Sequence, residues 1–126
     1  MSKAHPHVAI VEQEFLIAVD AEYLISEALD CRVTIAREDE MMRWTPSDLA
    51  ALDLCLIDLP TEATGALALA ARLEEIGVAF AFTSASDLHR SGAPAFEGVP
   101  VVMKPYDDVL LAVVRQMLAD ARCRQN

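Results

Sequence analysis

The polar residues with chemistry to offer are Glu12, Gln13 and Glu14, then Asp58, then Thr83 and Ser84, then Lys104. Each group directly follows a short apolar run. They divide into carboxylates (Glu12, Asp58) and donors suited to phosphate (Thr83, Lys104). Carboxylates alone can hold a hard cation such as Mg²⁺, which takes a few oxygens and keeps its waters. A hydroxyl and an ammonium beside them add what is needed to grip a phosphoryl group.

Bringing these residues together falls to the elements between them. His7 to Val11, Arg32 to Ala36, Leu54 to Asp58, Val78 to Phe82 and Val99 to Met103 are apolar, strand-sized runs. Between the first two, Ile17, Ala21, Leu24, Ile25 and Ala28 mark one helical face over Glu14 to Leu29. Ala66, Leu69, Leu73 and Ile76 mark another, ending at Gly77. Leu110, Val113, Val114, Met117 and Ala121 mark the last, expected to fray over Arg122 to Asn126. Glu38 to Trp44 reads as a short helix, Thr45 to Asp48 as a turn or new cap, and Ser84 to Ser91 as a weak helix before the SGAP breaker. Strands apolar throughout are buried on both faces, which predicts a parallel sheet covered by helices, a doubly wound α/β domain. Its functional crevice lies at the carboxyl ends of the strands, where the polar groups fall.

Composition narrows the options further. The chain has 126 residues, 54% of them hydrophobic, enough for one domain with a real core. Twenty acids against ten bases give a net charge of −10, which disfavours a phosphate backbone as partner, so nucleic acid is not expected. No apolar stretch is long enough to span a bilayer, and the N-terminus does not read as a signal peptide. Cys31, Cys55 and Cys123 show no CxxC spacing. Cys31 and Cys55 read as buried free thiols, suited to a reducing cytoplasm.

The motifs IVEQE (Ile10 to Glu14), LCLIDLP (Leu54 to Pro60), FAFTSA (Phe80 to Ala85) and VVMKPY (Val101 to Tyr106) stand in order at these strand ends. In them the sequence resembles the receiver domain of two-component response regulators, over about His7 to Leu118. The resemblance implies one receiver domain over residues 1–126, a flavodoxin-like five-stranded parallel sheet of order 2-1-3-4-5. It implies that Asp58 is a phosphoacceptor. Glu12, Asp58 and the Pro60 backbone carbonyl would ligate a weakly bound Mg²⁺, with Gln13 as a further ligand. Thr83 would donate to a phosphoryl oxygen, Lys104 would pair with the acyl phosphate, and the bond before Pro105 would be cis. The implied protein is a cytoplasmic stand-alone response regulator, not an enzyme. It would take phosphate from a sensor histidine kinase or phosphotransfer protein. It would signal to a downstream protein through a face carrying Tyr106, Asp107 and Arg115, with a second copy of the chain as a further candidate partner.

Several positions depart from the family pattern. Gln13 replaces a second acid and removes a negative charge from the metal site. The loop from Leu59 to Thr64 is short. Val101 stands where an aromatic often rotates, and a β-branched residue has no comparable rotamers. Pro60 and Ala85 offer no side-chain hydrogen bond to a hydrolytic water, so a phosphoryl group would be lost slowly. Each residue also has a plainer reading. Asp58 suits a strand-ending turn, Lys104 a solvated helix start, and Thr83-Ser84 a helix cap. His5, His7 and His89 read as solvent-facing, and Met41, Met42 and Trp44 as edge packing. The main rival is a pseudo-receiver, a protein-binding module never phosphorylated. A phosphatase is disfavoured because Pro60 occupies the place of its general acid.

Overall fold

The structure, a computed structural model, describes residues 5–60, 64–93 and 95–125, with 122–125 as backbone only. Its strands are β1 (His7–Val11), β2 (Arg32–Ala36), β3 (Leu54–Asp58), β4 (Phe80–Ser84) and β5 (Val101–Met103). All pair in parallel in the order β2-β1-β3-β4-β5, as expected. The helices are α1 (Phe15–Ala28), α2 (Glu38–Met42), α3 (Pro46–Ala50), α4 (Thr64–Ile76) and α5 (Asp108–Gln125).

Strand alternation sends side chains to two cores. Val8, Ile10, Leu54, Leu56, Ala81 and Val102 meet α1 and α5 on one face. Ala9, Val11, Cys55, Ile57, Phe80 and Phe82 meet α2, α3 and α4 on the other. Both faces are dry, which is why these strands carry almost no polar residues until their ends.

Local signals set the helix boundaries. Thr45 caps α3: its hydroxyl accepts the Asp48 N–H at 3.1 Å, and Asp48 accepts the Thr45 N–H at 3.3 Å. Gly77, at φ 93°, ends α4, with the Val78 N–H returning to the Leu73 carbonyl at 2.9 Å. Arg72 of α4 reaches across to the end of α2, donating to the Met42 carbonyl at 2.8 Å and the Trp44 carbonyl at 2.6 Å. At the other end of the pair, the Glu38 carboxylate lies against Gly65, where any Cβ would collide with it. Met41 is buried and Trp44 packs on the core, while Met42 stays exposed.

The boundaries from residue 78 onward need correction. The fourth strand begins two residues later than expected, because Val78 is consumed by the α4 cap. Thr83 and Ser84 therefore lie inside β4, not after it. The fifth strand is shorter, starting at Val101; before it, the Pro100 carbonyl still accepts the Phe82 N–H at 2.9 Å. The last helix continues through Gln125. The weak helix over Ser84 to Ser91 is one 3-10 turn, Asp87–His89, capped by Ser86. Beyond it Gly92, Ala95 and Gly98 all take left-handed φ values, which no helix can include. Phe96 from this stretch covers the sheet instead. Its ring meets those of Phe80 and Phe82 edge to face at centroid distances of 5.6 and 5.7 Å.

Cys55 is buried, and burial pushes its thiol up to about 12. Cys31 is only half-buried, and the side chain of Cys123 lies outside the described residues. No helix among the described residues is long and apolar enough to cross a membrane.

Candidate functional site

Strand register decides which polar side chains meet. Val11 pairs with Ile57, and Asp58 pairs with Thr83, so Glu12 and Asp58 leave adjacent strands side by side. The Leu59 N–H donates to the Thr83 carbonyl at 2.8 Å. The Lys104 N–H donates to the Ser84 carbonyl at 2.8 Å, extending the ladder one step past β5. The Lys104–Pro105 peptide is cis, as the resemblance implied.

Lys104 turns back across the strand ends and lies between the two carboxylates. Its ammonium donates to Glu12 Oε1 at 2.8 Å and to Asp58 Oδ1 at 2.7 Å. The Lys104 side chain is 10% exposed and that of Glu12 is 2% exposed. The second Glu12 oxygen accepts the Glu14 N–H at 3.2 Å, at the start of α1. Asp58 Oδ2 has no hydrogen-bond donor among the described residues.

One ammonium shared by two acids leaves Asp58 incompletely compensated. Burial raises the Asp58 carboxyl above the usual carboxylate range; Lys104 opposes this, while Glu12 and Glu14 add to it. Burial alone would lower the Lys104 ammonium. The bonds to Asp58 and Glu12 outweigh that, and the net direction is up, so the lysine stays charged.

These groups open on a cavity of about 370 Å³. Glu12, Gln13, Asp58, Pro60 and Lys104 all line it, together with Glu14, Leu59, Ala85 and Ser86. Gln13 is exposed at its rim. Thr83 is the expected residue that does not form its wall. It is 3% exposed, with the Tyr106 phenol near its side chain. Burial raises the Tyr106 phenol, with Thr83 and Lys104 opposing it. Val101 is indeed not aromatic, yet an aromatic reaches Thr83 from the loop after Lys104.

Sequence reasoning missed Ser86, and Tyr106, expected on a signalling face, is half-buried against the core. His89 was expected to face solvent, but its Nδ1 lies 2.6 Å from Oγ of the fully buried Ser84. Moving the fourth strand two residues along the chain would have brought Ser86 to the crevice. His5 is exposed and bonds Asp30 at 3.0 Å, while the His7 ring is part-buried and lies 2.6 Å from the Thr34 hydroxyl.

The chain has the fold of response-regulator receiver domains. It superposes on the signal receiver domain of an HD domain-containing protein from Pseudomonas fluorescens with a TM-score of 0.76 at 19% identity, covering 99% of this chain and 95% of that one. A response regulator receiver protein from Sinorhizobium medicae gives 0.75 at 16% identity, over 95% and 99% of the two chains. A response regulator from Thermotoga maritima gives 0.67 at 23% identity, over 91% and 98%. No family model and no curated protein matches the sequence.

Proposed function

We propose that this chain is a response-regulator receiver that accepts a phosphoryl group on Asp58 and signals through protein contact. The observation that carries the reading is the Lys104 ammonium lying 2.7 Å from Asp58 and 2.8 Å from Glu12 at the mouth of the strand-end cavity. A carboxylate is a poor nucleophile toward an anionic phosphoryl group until that charge is neutralised. Lys104 supplies part of the neutralisation from a fixed position. Asp58 Oδ2 attacks phosphorus, a P–Oδ2 bond forms, and the P–N bond to the donor imidazole breaks with its electron pair. The donor is a phosphohistidine on a sensor kinase or phosphotransfer protein.

The oxygens present fit Mg²⁺: the Glu12 and Asp58 carboxylates, the Pro60 carbonyl and the Gln13 amide are all hard donors. Bound there, the ion would supply further positive charge toward the phosphoryl oxygens. Binding is weak in this reading. Among the described residues no group of three or more His, Cys, Asp or Glu is arranged to hold a metal, and Lys104 already takes one oxygen of each acid.

Acetyl phosphate with Mg²⁺ is expected to add one phosphate to the intact protein and none to Asp58→Ala. No gain from acetyl phosphate or from any sensor kinase overturns the reading. Gln13 favours the second reading, a receiver-shaped binding module never phosphorylated, and that negative result would establish it.

A further inference from the structure

The hydroxyls at the end of β4 have different occupations. Thr83 is buried near the Tyr106 phenol and is not among the residues lining the Asp58 cavity. Ser84 is fully buried; its Oγ accepts the Ser86 backbone N–H at 3.0 Å and lies 2.6 Å from His89 Nδ1. Ser86 stands in the wall of the Asp58 cavity. Its Oγ accepts the Leu88 N–H at 3.2 Å, which fixes the oxygen. The hydroxyl hydrogen has no acceptor among the described residues. It is a donor in a cavity that holds a nucleophilic carboxylate and an ammonium.

We infer that Ser86, rather than Thr83, donates a hydrogen bond to the phosphoryl group accepted by Asp58, with Ser84 and His89 holding Ser86 in the wall. The inference rests on the phosphoacceptor reading above. Ser86 keeps its proton throughout; it stabilises the charge that gathers on the phosphoryl oxygens as P–Oδ2 forms. The support runs outward from the cavity: the Ser86 N–H is tied to Ser84, and Ser84 is tied to the His89 ring. His89 also lines a separate cavity of about 930 Å³ beside β5. A ligand seated there and moving the ring would act on Ser86 through a single side chain.

The test is the rate of Asp58 labelling by acetyl phosphate with Mg²⁺, read by intact mass. Ser86→Ala is expected to slow labelling about tenfold, the scale of a lost hydrogen bond to a charged acceptor. Ser86→Thr keeps both the cap and the hydroxyl and is expected to restore the rate. His89→Ala should slow labelling too. His89→Asn, whose side-chain oxygen can replace Nδ1 as partner of Ser84, should recover it, a rescue that a merely space-filling role would not give. Unchanged labelling in Ser86→Ala, with Thr83→Val impaired, overturns the assignment while the phosphoacceptor reading stands. A wild-type protein that no donor labels overturns both.

Discussion

Between β3 and β4 the chain returns through α4, a 13-residue helix whose Ala66, Leu69, Ala70 and Leu73 are buried on the sheet. Between β4 and β5 the described residues form one 3-10 turn and include three left-handed residues. The first crossover covers its strands with a regular apolar stripe. The second covers them with Phe96 set against Phe80 and Phe82, and leaves the cavity of about 930 Å³ alongside. Yet Asp58 and Lys104, which lie on either side of β4, meet at 2.7 Å. Strand pairing positions the polar edge; the covering elements supply stability. A helix is one way to provide it, and a few aromatic rings are another.

That division of labour predicts separable effects. Lys104→Met removes the counterion shared by two largely buried carboxylates and is expected to cost about 4 kcal/mol in urea unfolding. Adding Glu12→Gln should recover much of the loss, and no recovery would mean the ammonium matters for something other than charge. Phe96→Ala is expected to cost about 3 kcal/mol, as for other buried aromatic truncations, with Asp58 labelling unchanged. Labelling that falls along with stability would break the comparison, because the covering loop would then be positioning the site.

Smaller effects sharpen it. Gly98 has φ 82° and nothing within 4 Å of a built Cβ, so Gly98→Ala should cost about 1 kcal/mol through backbone strain alone. Ala95, at φ 68°, already bears that strain, and Ala95→Gly should raise the melting temperature. The smallest effect concerns Asp58 itself. Its folded carboxyl titrates above its ordinary value of 3.8, so folding favours the neutral form. Stability from this group therefore declines as pH rises from 3.8 through the raised value. Asp58→Asn, a neutral mimic, should melt slightly higher than wild type at pH 7 and lose that advantage in acid. Equal melting temperatures at every pH would show that Lys104 compensates Asp58 fully.

The fold was legible because its signals are of long range and redundant. Five apolar runs separated by helical periodicity leave few alternatives to a parallel sheet. Glu12, Asp58 and Lys104 were legible for the same reason, each being the first strongly polar residue after such a run. The segment from residue 78 to 100 was harder. VAFAF is uniformly apolar, so nothing in it marks where pairing starts; the α4 cap sets that point by consuming Val78. Ser84 to Ser91 carries weak helical propensity that the left-handed residues beyond it override. The partnership of Ser84 with His89 and the approach of Tyr106 to Thr83 depend on side chains from separate loops, and neither leaves a periodic trace.

The two contacts between α2 and α4 have a mechanical consequence. Glu38 abuts Gly65 at their leading ends, and Arg72 grips the Met42 and Trp44 carbonyls at the trailing end of α2. The Arg72 bonds tie the end of α2 to α4, so the pair resists sliding at that end. A side chain at position 65 would therefore have to displace the Glu38 carboxylate before α4 could keep its place against α2.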